Sequence, residues 1–419
     1  MRARRLSPSR IAAFPLAALG ALLAPAAAAQ IDPVHRRLVQ VGFEQPLRND
    51  GPTAAYGYYY HNQPGFLDRT NLTLRAAVAP VYVDSELGLR GALGPATDAG
   101  LGVAGGGFAD TWNEIRAGDF LRDESFTGHG YRVSAAVYHQ FNPGAVIPIF
   151  GFGRAALQQS FFVEDDATDD AFALPPNYPA ARARAGLRVG GREPYLRPDM
   201  AAEFSLWYEG QWRLDDGLYG FSGDRELRPN SHAFWGRALL AYTFDEMDHT
   251  FEVSITGGGV LDADRFSAFR VGGSLSQNAE FPLTLPGYFF QEITVDRLML
   301  IRAEYAVPVT ASGRWRLAPY GSAALVEYLP GFEQSGEWHV GVGLAALFRT
   351  ADRRWEMGVS GAYGFNAIRN DDERGGIAVG AMVQYNFNRR GEGALYRAQP
   401  DWLGPDAGRS FLRLFSGAR

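Results

Sequence analysis

Trp338-His339-Val340-Gly341-Val342-Gly343-Leu344-Ala345-Ala346-Leu347-Phe348 decides the fold. Successive side chains of an extended strand point to opposite faces. Trp338, Val340, Val342, Leu344, Ala346 and Phe348 therefore share one face, and His339, Gly341, Gly343 and Ala345 the other. The same alternation returns at 355–365, where Trp355, Met357, Val359, Tyr363 and Phe365 oppose Glu356, Gly358, Ser360, Ala362 and Gly364. It returns again at 377–387, where Ile377, Val379, Ala381, Val383, Tyr385 and Phe387 oppose Ala378, Gly380, Gln384 and Asn386. Strict alternation over about ten residues is the length and pattern of a tilted membrane-spanning strand. The apolar faces begin or end in Trp, Tyr or Phe, the residues of an interfacial aromatic girdle.

Working back from these three, sixteen such segments can be placed: 37–46, 53–61, 70–83, 85–93, 99–113, 129–141, 146–163, 180–190, 201–213, 231–244, 249–260, 297–309, 315–328, 336–349, 354–366 and 376–387. Their connections differ in length. Asn142-Pro143-Gly144, 245–248, 310–314 and 350–353 are tight, whereas 114–128, 164–179, 214–230, 261–296 and 367–375 are long. Short turns on one side and long loops on the other belong to an outer-membrane barrel. Closure is required, because lipid cannot satisfy an open strand edge. The expectation is an all-β fold: a sixteen-stranded antiparallel transmembrane β-barrel.

Composition agrees. Fifty Gly and 13% aromatic residues suit a barrel whose strands are polar on one face. There is no Cys, so disulfides and thiolate metal sites are excluded. Every basic residue is Arg, and the net charge of −6 argues against a nucleic-acid binder. Residues 1–29 read as a secretory signal, with Arg2, Arg4, Arg5 and Arg10 before an apolar run and Ala27-Ala28-Ala29 at the cleavage site. The expected order is signal peptide 1–29, a short periplasmic segment 30–36, the barrel 37–387 and a periplasmic tail 388–419.

The longest break in the alternation runs from Leu261 to Asp296. It carries six aromatic residues and the pair Gly272-Gly273, which permits tight backbone geometry. A loop this long in a compact protein is functional or disordered, and its aromatic content points to packing. Counting strands makes it the sixth extracellular loop. That count, together with Phe269-Arg270-Val271-Gly272-Gly273, Leu285-Pro286-Gly287-Tyr288 and the following Glu304-Tyr305-Ala306-Val307-Pro308, resembles the BamA/TamA superfamily of bacterial surface antigen barrels. The resemblance implies a sixth loop folded into the lumen. It also implies a non-enzymatic role in assembly or translocation of proteins or lipids at the outer membrane.

Carried over residue by residue, the implied loop and lumen anchors are Arg270, Gly272, Gly273, Gly287, Tyr288, Glu304, Tyr305 and Glu327, with Tyr320 to Glu327 resembling the segment that receives the loop tip. Gly380, Val383, Tyr385 and Phe387 have the form of a barrel assembly signal. The sequence departs from the family at Pro286, which stands where the motif has Arg; Arg270 is the substitute, with Glu304 or Glu327 as acceptor. The seven residues before the first strand leave no room for the family's periplasmic POTRA domains. A separate periplasmic partner is therefore implied, beside the outer-membrane lipids and lipopolysaccharide around the barrel. The bacterial outer membrane is the implied location.

On this register the lumen carries Arg182, Arg184, Arg188, Arg237 and Arg302 among Glu203, Glu209, Glu252 and Glu356. Mixed charge argues against a strongly ion-selective pore. None of the seven His has metal-ligand spacing, and no phosphate loop, nucleophile elbow or dinucleotide fingerprint is convincing, so neither metal nor cofactor is expected. Two other readings are a passive porin-like channel or structural barrel, and a lipid hydrolase using His129 or His232 near the rim.

Overall fold

The computed structural model describes residues 31–388 except 33, 146, 192–199, 245–246, 276–281 and 370–372. The signal segment and the tail beyond residue 388 lie outside the described residues. The strands are, in chain order, β1 (Arg36–Pro46), β2 (Ala54–Pro64), β3 (Leu72–Val78), β4 (Tyr82–Leu89), β5 (Thr97–Arg116), β6 (Asp119–Gln140), β7 (Ile149–Glu164), β8 (Phe172–Ala173), β9 (Tyr178–Gly191), β10 (Met200–Arg213), β11 (Gly217–Phe221), β12 (Arg225–Leu227), β13 (Asn230–Phe244), β14 (His249–Leu261), β15 (Phe269–Val271), β16 (Ile293–Pro308), β17 (Trp315–Tyr328), β18 (Trp338–Arg349), β19 (Trp355–Ile368) and β20 (Arg374–Asn386).

Leaving out the short β8, β11, β12 and β15, sixteen strands pair antiparallel with their neighbours and form the wall. The wall closes where β1 pairs with β20, from Leu38↔Asn386 to Pro46↔Ala378. Closure gives every wall strand two hydrogen-bonded neighbours, which a lipid environment demands. The two faces follow the alternation. On β10, Phe204 and Leu206 are exposed on the outside, and Glu203, Ser205 and Trp207 are buried within. Trp207 interrupts the polar inner face because Gly186, on the next strand, leaves room for its ring. Trp207 also stacks on Trp235 at 5.7 Å and carries the Arg184 guanidinium at 4.3 Å. On the outer face the girdle is visible where Trp355 packs on Tyr385 at 4.6 Å and Trp315 on Phe348 at 4.9 Å.

Three local expectations are corrected. The connection 114–128 is not a loop: β5 and β6 run on beyond the barrel and meet in a hairpin at Ala117-Gly118, both at positive φ. Register shifts between Gly106 and Asp110 and between Trp112 and Glu114 break the alternation there, which hid the extension. The turn between β3 and β4 falls at 79–81, where Pro80 ends the first strand, and not at 84. The loops after β7 and β10 contribute β8, β11 and β12 to a separate small sheet.

Candidate functional site

The loop between β14 and β16 has a stem and a tip, held by different means. In the stem, Asp264 accepts the backbone amides of Phe266 and Ser267 and faces Arg213, both partners being buried. Arg265 donates to Glu114 at 2.9 Å and to the Asn113 carbonyl at 2.7 Å, tying the stem to the β5–β6 hairpin. Phe266 packs edge-on against Trp112 at 4.7 Å and joins Phe126, Phe162, Phe172 and Tyr219 in an aromatic cluster shared by four extracellular connections. β15 then pairs with the start of β16 and closes the neck of the loop.

Past the neck the chain turns at Gly272-Gly273, with Gly273 at φ +72°. The backbone amides of Ser274 and Leu275 both point at the Glu44 carboxylate, Ser274 at 2.8 and 2.9 Å and Leu275 at 3.2 Å. Successive amides converging on one anion form a backbone nest. Glu44 lies on the inner face of β1 and is the register partner of Gly380 on β20, so the loop is fastened beside the closing seam.

The tip, Leu285-Pro286-Gly287-Tyr288, rests on a row of glycines. Gly341 of β18, Gly364 of β19 and Gly376 of β20 are successive register partners on the inner face. A Cβ at Gly341 would overlap the Pro286 carbonyl oxygen, and one at Gly376 the Gly287 carbonyl oxygen. Gly364 lies beneath the Tyr288 ring. Gly287 itself takes φ +80°, and any side chain there would meet the Tyr363-Gly364 backbone. Backbone therefore packs directly on backbone. The Tyr288 hydroxyl is 3.1 Å from His339 Nδ1, and the other ring nitrogen of His339 reaches the Tyr328 hydroxyl. Burial, and next the Glu292 carboxylate, hold the Tyr288 phenol above its usual range, so it stays neutral.

A buried ion pair clamps the end of the tip. Arg369 donates to both carboxylate oxygens of Glu292, at 2.9 and 3.1 Å, and to the Gly287 carbonyl at 3.3 Å. Its guanidinium lies 3.8 Å over the Phe289 ring, and the Phe289 amide donates to Glu292 at 2.7 Å. Both charged side chains are at most 2% exposed. A bidentate arginine–carboxylate pair whose guanidinium also donates to backbone carbonyls and lies on an aromatic ring is a favourable form of a buried ion pair.

Of the residues expected from sequence, Gly272, Gly273, Gly287 and Tyr288 meet at this seat. Arg270 donates to the Asn113 carbonyl at 3.3 Å and lies over the Trp112 ring at 5.2 Å. The acceptors expected for Arg270 are engaged with other arginines: Glu327 with Arg297, on the exposed outer side, and Glu304 with Arg302. Glu304 faces the underside of the loop across a cavity of about 40 Å³ shared with Ser274, Thr284 and Pro286. Tyr305 points outward and bonds His249 at 2.8 Å. From β17, Ala324 and Val326 pack into the cluster around Leu285 and Tyr288, but the tip backbone lies on β18–β20. Val383, Tyr385 and Phe387 stand on the outer face, with Phe387 packed against Tyr385 at 4.9 Å and Tyr59 at 6.0 Å. His129 stacks on Phe161, and His232 bonds the Tyr208 hydroxyl at 3.0 Å. Among the described residues no group of His, Asp and Glu is placed to hold a metal.

Sequence reasoning missed Glu44, Glu292, Arg369 and His339 as parts of the seat. The contacts that bring them together, Glu44 with Ser274, Glu292 with Arg369 and His339 with Tyr288, span 230, 77 and 51 positions of the chain, so no local pattern marks them. The glycine row was visible as small residues on the polar face, but alignment of three glycines into one trough is a property of register.

No family model matches the chain, and no curated protein is similar to it in sequence. Solved structures do match. The barrel aligns with CdiB from Acinetobacter baumannii at TM-score 0.55 and 9% identity, over 85% of this chain and 60% of that one. It aligns with BamA from Haemophilus ducreyi, lacking POTRA domains 1–3, at 0.52 and 11%, over 84% and 70%. It aligns with CdiB from Escherichia coli at 0.51 and 10%, over 84% and 63%. The chain spans about three fifths of the length of the first of these. At such identities the likeness is one of fold. The fold defines the class: a closed sixteen-stranded β-barrel of outer-membrane type, belonging in the bacterial outer membrane.

Proposed function

We propose that the protein is a gated, non-enzymatic outer-membrane barrel whose sixth extracellular loop folds into the lumen as a plug. Its displacement opens a route for assembly or translocation of proteins or lipids. The observation that carries this reading is the tip lying on the inner-face glycines Gly341, Gly364 and Gly376, next to the β1–β20 seam and fastened to Glu44 of the first strand. A device that touches both the lumen wall and the closing seam can couple loop position to seam integrity. The partners in this reading are outer-membrane lipids and lipopolysaccharide outside, and a separate periplasmic protein that delivers the client.

Depletion of the protein tests the role: levels of other outer-membrane proteins or of surface lipid should fall, and unchanged levels of both overturn it. Planar-bilayer recording tests the plug: conductance should be low for the intact chain and rise on deletion of residues 265–290. A passive porin-like channel is the competing reading, favoured by the mixed-charge inner wall on which Arg237 pairs with Glu203 and Arg302 with Glu252. Steady conductance of the intact chain, unchanged by the deletion, would select it.

A further inference from the structure

A cavity of about 370 Å³ lies between the loop and the inner face of β9, β10, β13 and β14. Pockets of this size hold small organic ligands. The barrel wall contributes Arg182, Glu209 and Trp235, and the loop contributes the apolar Phe266, Phe269 and Leu283. The two charged residues are not paired with each other. Arg182 donates from Nε and Nη2 to Gln211 Oε1, at 3.1 and 2.7 Å, and from Nη1 to Gln158 Oε1 at 3.1 Å. Two neutral amides thus hold its guanidinium plane in place. Among the described residues no carboxylate comes within ion-pair distance of it, and the Glu209 carboxylate makes no hydrogen bond or ion pair. The neighbouring Arg184 is committed to the rings of Trp207 and Trp235, at 4.3 and 5.4 Å.

From these three features we infer that the cavity binds a zwitterion with an apolar body, such as a free α-amino acid with a large apolar side chain. The ligand's carboxylate lies against Arg182, its ammonium against Glu209, and its side chain under Phe266, Phe269 and Leu283. Register supports the spacing. Arg182 pairs with Gln211 and Arg184 with Glu209, so Arg182 and Glu209 are diagonal neighbours, about 7–8 Å apart at Cα. Two long side chains converging from diagonal positions can reach two charges separated by a single carbon. With three of its five donors taken by Gln211 and Gln158, one N–H on each of Nη1 and Nη2 of the fixed guanidinium remains to meet a carboxylate. A purely anionic ligand would leave Glu209 facing like charge, and a purely cationic one would do the same to Arg182. The inference does not depend on the translocation reading, because it is measured on the purified barrel.

Isothermal titration of the full-length protein in detergent tests it with three probes: L-phenylalanine, N-acetyl-L-phenylalanine, which lacks the ammonium, and phenethylamine, which lacks the carboxylate. The expected result is saturable heat for L-phenylalanine and binding about tenfold weaker or worse for each one-charge analogue. Arg182→Gln should abolish the L-phenylalanine signal. Glu209→Gln should weaken L-phenylalanine about tenfold while leaving N-acetyl-L-phenylalanine unchanged. Heat-modifiable migration on gels confirms that each variant is a folded barrel. Equal binding of L-phenylalanine and its N-acetyl derivative, with Glu209→Gln tightening both, would make this an anion site and overturn the proposal. Absence of saturable heat with all three probes would overturn it as well.

Discussion

The stem and the tip of the sixth loop are held by opposite strategies. The stem, 262–271, is fixed by side chains: Asp264 on Arg213, Arg265 on Glu114, Phe266 among the rings of four extracellular connections. The tip, 285–288, is fixed largely by their absence, its backbone lying on three glycines of three adjacent strands. Side-chain contacts are adjustable, because a rotamer change can restore most of one. A backbone trough is not, because a single added methyl group removes the space it occupies. The stem therefore ties the loop to the β5–β6 hairpin, and the tip ties it to the wall strands β18–β20.

Variants that distinguish the two regions rank by size of effect. Gly341→Leu should act most strongly. Its side chain takes the space of the Pro286 carbonyl, so the tip cannot seat while the wall strands stay paired. Single-channel conductance in planar bilayers should rise to that of the 265–290 deletion. Arg369→Ala comes next. It leaves the buried Glu292 without its counter-charge, an effect of about 3–5 kcal/mol. In thermal unfolding, the double variant with Glu292→Ala should be much less destabilised than the sum of the single variants. Phe266→Ala, in the stem, should cost roughly 2–3 kcal/mol, below the usual Phe→Ala range because the ring is only partly buried. It should loosen the extracellular cap, read as faster proteolysis of the β5–β6 hairpin, without raising conductance. Glu327→Gln should change the melting temperature least. Its pair with Arg297 is exposed on the outer side, and such pairs are worth about 0–1 kcal/mol. A large effect there would restore Glu327 as a loop anchor.

The same contrast explains what the sequence could reveal. All sixteen wall strands were legible, because lipid on one side and polar lumen on the other impose period two on every one of them. Legibility failed where that condition lapsed. The β5–β6 extension rises beyond the barrel and carries register shifts, so its pattern breaks at Gly106–Asp110. For the seat, Gly272, Gly273, Gly287 and Tyr288 could be marked from motif resemblance. The ionic clamp could not. With Pro286 where an Arg was expected, Arg270, the nearest cation within the loop, was the natural substitute, yet the buried clamp uses Arg369 from the connection between β19 and β20. Pro286 still has a place, because the tip backbone rather than a side chain meets the wall there.

The seating of the tip is the central claim, and the absence of native cysteines allows a direct test. Thr284, next to the tip in the loop and only 4% exposed, can be replaced by cysteine with little change in size. A membrane-impermeant maleimide applied to whole cells then reports whether the tip is seated. Thr284→Cys should label slowly in the otherwise native chain and rapidly when combined with Gly341→Leu, with Ser335→Cys on an exposed extracellular connection as the reference. Labelling of Thr284→Cys in the native background at the rate of Ser335→Cys would contradict the account.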